Sequence, residues 1–433
     1  MSEQYIRDAL IDFLNASPTP YHATAQIAQM LVDKGFSELK EDEFWDLTLG
    51  QRYYFVRSDS TIVGFVWGLD NSVSKGIRLV GAHTDSPCIK LKPQPEKNIK
   101  GYQQLGIEVY GGALLNPWFD RDLSLAGKVC FLRDSGELTC TCINYRDPIA
   151  VIPSLAIHLD REANKKRSIN PQTDMNPILF QGSNDFSLRT MLLEKLHEDG
   201  ISDAKEVLDF DLSFYDTQGA NTIGLHQEFL ASARLDNLLS SFVGMHALAN
   251  ADNQYTSIMV CNDHEEVGSQ SDIGALGTVV KDLLARLYPQ EQERQVAIRR
   301  SLMLSVDNAH GIHPNYVNRH DENHGPQLNA GPVLKFDANQ SYATSSHSAA
   351  FVKQLASMEP KVPVQTYVTR ADMRCGSTIG PLTSSQIGIK TLDLGVATFA
   401  MHSIRELAGK DDINYLHRLL SRFYNAEKVA ISG

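Results

Sequence analysis

Side chains of metal-binding type stand at element boundaries along this chain. His83 follows the apolar run Arg78-Leu79-Val80-Gly81-Ala82, and Asp236 stands just before a run with helical spacing. Glu265 and Glu266 follow the apolar run 258–261, Asp307 ends the run 302–306, and His402 lies beyond the run 390–396. In open α/β sheets, sites gather at the carboxyl ends of strands. Each residue alone has an ordinary explanation: a packed or surface histidine, a helix-capping or turn aspartate, a pair of solvated glutamates. Their joint placement points to a metal centre.

The ligand types fit zinc, or another borderline ion such as cobalt or manganese. Three carboxylates and a hydroxide would offset the charge of two divalent cations. A carboxylate bridging both ions would let them share one water, lower its pKa and clamp the attacking and carbonyl oxygens. In Asp263-His264-Glu265-Glu266, neighbours in an extended chain point opposite ways. Glu266 is assigned as a metal ligand, and Glu265 as the general base that takes the water's proton and gives it to the leaving amine. Asp85, two residues after His83, is placed to fix the imidazole tautomer; an Asx turn before Ser86-Pro87 explains it equally well.

The elements that must hold these groups alternate. Helical spacing covers 3–16, Ser17-Pro18-Thr19-Pro20 breaks it, and a second helix is expected to about Lys34. Strands are expected at 61–69, 77–82, 256–262, 302–307, 332–337, 362–369 and 390–396, with helices over 237–250 and 281–300. Between Pro93 and Gln227 the chain is glycine-rich, with short alternating runs at 106–110, 128–133, 138–143 and 207–215 and an exposed connection at 161–190. The fold class expected is α/β, a mixed sheet with helices on both faces, interrupted by a β-rich domain. The boundaries are 1–93 and 228–433 for the catalytic domain and 94–227 for the insertion.

With 433 residues and 42 % apolar content the chain can bury a sizeable core. No run approaches the roughly 18 apolar residues of a membrane helix, and the N-terminus MSEQYIRDALIDFL lacks the pattern of a secretory signal. A cytoplasmic location and no membrane partner are expected. The net charge of −12 argues against nucleic acid and repels acidic substrates at long range, so a preference for them needs a local cation. The six cysteines, Cys140 and Cys142 among them, suggest no disulfide framework and are expected to be reduced.

Seven runs together closely resemble the M18 aminopeptidases, the aspartyl aminopeptidase family, in a bacterial member. They are GAHTDSPCIKLKP (81–93), LAIHLDR (155–161), SARLDN (232–237), DHEEVGS (263–269), SVDNAHGIHPNY (305–316), CGSTIGP (375–381) and LDLGVATFAMHSIRE (392–406). The resemblance implies a zinc-exopeptidase-like fold and a two-zinc aminopeptidase that prefers peptides with acidic N-termini. His83, Asp236 and Asp307 would hold one ion, and Asp236, Glu266 and His402 the other, with Asp236 bridging and Glu265 as base. The β-rich insertion would be a dimerisation domain, and dimers would assemble into a tetrahedral dodecamer. His158 would reach a neighbouring subunit's active site to bind substrate, or else metal. Lys335, with His310 nearby, would bind the acidic side chain. Met373-Arg374 depart from the smaller residues of other branches, which leaves the place of Arg374 open. Two other readings compete: a related two-metal carboxypeptidase or N-acyl deacylase, and a non-catalytic assembly protein.

Overall fold

The computed structural model describes residues 3–182 and 185–429 of the chain. They form two compact units. The first comprises the chain up to Asp85, Ala220–Met401 and everything from Glu406; the second comprises Ser86–Gly219 and His402–Arg405. The units divide at 85/86 and 219/220; the boundaries expected from sequence are 93/94 and 227/228. The strand Cys88–Ile99 explains the first offset, because its ladder partners all belong to the second unit.

Among the described residues the first unit's main sheet has nine strands. Their spatial order is Ser37–Glu38, Arg52–Arg57, Thr61–Val66, Ser257–Asn262, Arg78–His83, Leu302–Val306, Lys390–Gly395, Val333–Phe336 and Gln365–Val368. The four strands Ser257–Asn262, Arg78–His83, Leu302–Val306 and Lys390–Gly395 run parallel. Their side chains alternate between two cores, as a period of two requires. Val80, Met259, Cys261, Leu302 and Leu304 join one core; Leu79, Ile258, Val260 and Met303 join the other. The first core is closed by the helices Glu3–Ala16, Pro20–Asp33, Leu235–Ala249, Ser346–Ser357 and Lys410–Tyr424. The second is closed by Val279–Leu287, Glu291–Arg299 and Ile379–Ile387. Both faces are therefore covered, which is why these strands read as continuous apolar runs. A smaller five-stranded sheet in the same unit includes Ala309–His310, Ala397–Phe399 and Glu406–Gly409.

The second unit is built on a six-stranded antiparallel sheet in the order Leu138–Asn144, Leu123–Arg133, Ala204–Asp216, Cys88–Ile99, Tyr102–Tyr110, Ile178–Gln181. The helix Leu188–Glu198 lays Leu188, Leu192 and Leu196 into this unit's core.

Three local expectations change. The single helix at 281–300 is two, Val279–Leu287 and Glu291–Arg299, because Pro289 interrupts the ladder. The stretch 161–190 holds the short helix Pro171–Asp174, the strand Ile178–Gln181 and the start of the helix Leu188–Glu198 as well as loop. The cysteines are not all reduced: Cys130 and Cys140 form a disulfide. The register sets these two directly opposite each other on neighbouring strands, an adjacency that spacing along the chain does not reveal. Cys88, Cys142, Cys261 and Cys375 stand outside that disulfide.

Candidate metal centre

The parallel strands end on one side, and the candidate ligands gather there. His83 is the last residue of its strand and is buried. Its Nε2 lies 3.5 Å from Asp236 Oδ1 and 3.6 Å from Asp307 Oδ1. Its Nδ1 lies 3.0 Å from the Asp85 carbonyl and 3.2 Å from Asp85 Oδ1. With only acceptors facing Nδ1, that nitrogen carries a proton, and Nε2 is left to face the two carboxylates.

Asp85 has a second task. Its Oδ1 accepts the Glu265 N–H at 3.2 Å and its Oδ2 accepts the Glu266 N–H at 3.0 Å. One buried carboxylate thus fixes both the imidazole and the glutamate pair. The glutamates are not in extended chain, in contrast to the expectation from sequence. They occupy the short 3₁₀ turn Glu265–Val267, entered through His264 at φ 63°. Their side chains still diverge, because consecutive residues on a 3₁₀ turn are about 120° apart.

Asp236 stands where the helix Leu235–Ala249 is not yet regular: Asp236 and Asn237 have non-helical dihedrals. Its N–H donates to Glu406 Oε2 at 2.9 Å, and Asn237 Nδ2 donates to the Val306 carbonyl at 2.8 Å. Asp307 follows its strand directly. A side chain at Gly395 would run into the Asp307 carbonyl, so only glycine there lets the two chains approach this closely.

His83, Asp236 and Asp307 offer ligand atoms to one point, and so do His83, Glu265 and Glu266. Asp307 Oδ1 is buried without a hydrogen-bond partner, which is costly unless a cation takes it. Burial works against charge on His83, yet Asp236, Asp307 and Asp85 hold its pKa well above the usual value. Burial, with repulsion from Asp307, Asp85 and Asp236, pushes Glu265 up to about 7. Burial and Asp236 raise Glu266 further, to about 10. A cluster of carboxylates that resists ionisation beside an imidazole that holds its proton lacks positive charge, and one or more divalent cations would supply it. The residues therefore fit such an ion.

Lys335 is also buried, with its side chain 2 % exposed, and its Nζ lies 3.2 Å from Asp307 Oδ2. The Tyr342 ring faces the same ammonium at 5.3 Å. His310 lies in the strand Ala309–His310, exposed, with its ring edge-on to Tyr367 at 5.9 Å. His402 belongs to the second unit's segment, at φ 68°, with its Nδ1 3.2 Å from the Gly112 carbonyl. His158 sits in an exposed turn of the second unit, not in a strand.

Three groups escaped the sequence reading. Glu406 closes the quoted run 392–406, but nothing in its spacing marks it as the acceptor for Asp236. Tyr342 lay outside every quoted run. Asp393 lies inside one and looked like a strand residue. It is fully buried and accepts from Thr378 Oγ1 at 2.5 Å and from the Ala343 N–H at 2.6 Å. It thereby ties the segment carrying Tyr342 to the segment carrying Cys375.

A mixed sheet covered on both faces, with imidazole and carboxylates converging at its strand ends, is the framework of a metal-dependent hydrolase. The family model described as aminopeptidase I zinc metalloprotease (M18) matches residues 13–424. A probable M18 family aminopeptidase 2 of Pseudomonas fluorescens (strain Pf0-1) is 54 % identical over 98 % of this chain and 99 % of its own. The solved structure of the Ape4 and Nbr1 complex matches with a TM-score of 0.93 at 35 % identity, over 98 % of this chain and 86 % of that one. The S. cerevisiae mApe1 dodecamer matches with a TM-score of 0.84 at 26 % identity, over 98 % of each chain. The chain belongs to the M18 family of zinc metalloproteases and is a metallo-aminopeptidase.

Proposed function

We propose that this aminopeptidase holds two divalent cations, natively zinc, and prefers peptides that begin with aspartate or glutamate. His83, Asp236 and Asp307 would hold one ion. Asp236 would bridge to the second, held by Glu266 and by His402; the assignment of His402 rests on its motif. Bound cations would polarise the scissile carbonyl and provide a nucleophile at neutral pH.

Glu265 takes the proton of the attacking water and passes it to the leaving amine. Its place beside His83 and Glu266 in the ligand cluster suits a group that accepts a proton and returns it. Asp85 holds Glu265 and Glu266 through their backbone N–H groups. The observation that carries the acidic preference is the ammonium of Lys335 against Asp307. It is a dry cation one side chain from the ion cluster, where an N-terminal acidic side chain would find a charge-assisted partner. His310 stands three residues past Asp307 and is taken as a further substrate contact.

His158 is proposed to complete the site of a second subunit. Leu155 is 61 % exposed and Leu159 75 % exposed, and both flank His158 in the same exposed segment; such an apolar patch suits burial against another copy. Dimers formed in this way are proposed to assemble into a dodecamer, as the mApe1 relative does.

The test compares Asp-Ala-Ala-amide, Leu-Ala-Ala-amide and N-acetyl-Asp-Ala-Ala-amide with zinc, cobalt or manganese present. The free Asp peptide should exceed the Leu peptide in kcat/KM by about tenfold or more, and the blocked peptide should be inert. Cleavage of the blocked form alone would make the protein a deacylase. Equal rates for Asp and Leu would remove the acidic preference.

A further inference from the structure

Beyond Lys335 the first unit has an open cavity of about 410 Å³, and its wall includes His310, His313, Tyr316, Arg319, His320 and Arg374. No aspartate or glutamate lines it. In a chain of net charge −12 that is an unusual local balance. The carboxylates nearest in sequence are already engaged: Asp321 with His324 Nδ1 at 2.5 Å, and Asp372 with Arg370 at 2.7 Å. Arg319 and Arg374 have no ion-pair partner among the described residues. Two uncompensated guanidinium groups around one concavity focus a positive potential there, and the three imidazoles beside them can add N–H donors.

The cavity adjoins the metal centre. His310 and Tyr367 form part of its wall, and Tyr367 is the ladder partner of Lys335. His310 is three residues from Asp307, a span of at most about 11 Å of extended chain. A substrate peptide covers the same distance in about three residues. The cavity is thus within reach of a peptide held at the metal centre, while the side chain of its first residue is assigned to Lys335.

We infer that this cavity is a second carboxylate-binding subsite, which takes a negative group one to three residues beyond the peptide's N-terminal residue. The guanidinium fork of arginine suits a carboxylate better than a point charge does. The group could be an acidic side chain or the free C-terminus of a short peptide, since both present the same chemistry. The preferred substrates would then be short peptides with a second negative charge, and the long-range repulsion of an acidic protein would be overcome locally at two points. This deepens the acidic-substrate reading above and rests on peptides being the substrate.

The test uses the assembled, zinc-loaded enzyme and its Arg319→Gln/Arg374→Gln double variant. One arm compares Asp-Asp-Ala-amide with Asp-Ala-Ala-amide; a second compares Asp-Ala with Asp-Ala-amide. A matched series beginning with leucine keeps the result separate from the role of Lys335, because the N-terminal residue is constant within each comparison. Wild-type enzyme should favour the more negative peptide by about tenfold in kcat/KM, mainly through KM, in at least one arm. The ratio should fall towards one in the double variant and at raised ionic strength. Calorimetric binding of a reduced-amide, non-cleavable Asp-Asp-Ala-amide should weaken by a similar factor in the variant, whether or not turnover is seen. A wild-type ratio of one in both arms, or a ratio and a binding constant untouched by the double substitution, would overturn the inference.

Discussion

Lys335 places its ammonium 3.2 Å from Asp307 Oδ2, and that side chain is 2 % exposed. One carboxylate therefore faces His83 through Oδ1 and Lys335 through Oδ2. Replacing Lys335 with methionine keeps its volume and removes its charge. The kcat/KM on Asp-Ala-Ala-amide should fall roughly a hundredfold more than on the Leu peptide. Some loss on the Leu peptide is expected too, because Asp307 loses a buried partner. Equal losses on both would move Lys335 from selecting substrates to holding Asp307.

Glu265→Gln should retain its metal and lose about 10² to 10⁴ in kcat, the usual share of a positioned general base. Metal analysis and single-turnover rates on the same preparation check both halves. Near-normal turnover would remove Glu265 from proton transfer.

Asp85→Asn tests the carboxylate that holds His83 and both glutamate N–H groups. Zinc affinity should weaken by about 10- to 100-fold, as expected for a group that orients a ligand. Competition with a chelator of known affinity measures it. Unchanged affinity would leave Asp85 with the turn alone.

Much of this centre was legible from the chain because it follows from strand ends. Continuous apolar runs marked the parallel strands, and His83 and Asp307 stand where those runs stop. The two helices found where one is expected at 281–300 meet at Pro289, a break the residue type itself marks. What stayed hidden depends on residues far apart in sequence. Cys130 meets Cys140 through strand register, and Asp393 gathers Thr378 and Ala343 from separate loops. The basic cavity draws Arg319 and Arg374 to one concavity. Spacing along one chain carries no trace of such meetings.

Asp393 gives a prediction of that hidden kind. Asp393→Asn removes one of the acceptors that tie Ala343 to Thr378, and a side chain at Gly380 would collide with the same carboxylate. Both Asp393→Asn and Gly380→Ala should raise KM for Asp-Ala-Ala-amide by roughly tenfold while kcat changes less, because the walls around Lys335 shift. Unaltered KM in folded variants would confine Asp393 to stability.

His246 Nδ1 and His417 Nε2 lie 3.0 Å apart between the helices Leu235–Ala249 and Lys410–Tyr424. Burial, then Lys34, lowers His246 to about 4; burial, then His246 and Arg418 among others, lowers His417 to about 4. Unfolded, both titrate near 6.5. The folded pair stays neutral where the unfolded chain takes up protons. Its stability is therefore full above about pH 6.5 and is lost as pH falls towards 4, by on the order of 3 kcal/mol for each histidine. Urea titrations of wild type and a His246→Gln/His417→Gln variant should show a gap that changes across that window. A constant gap would contradict the linkage.

Two cations in one cluster of carboxylate and imidazole are the core of the proposed mechanism. Zinc counted by mass spectrometry on the assembled, active protein, after dialysis against metal-free buffer, tests this directly. Two ions per chain are predicted, falling to one or fewer in Asp236→Ala, since that carboxylate is proposed to serve both. One ion or fewer per chain in fully active wild-type protein would contradict the account.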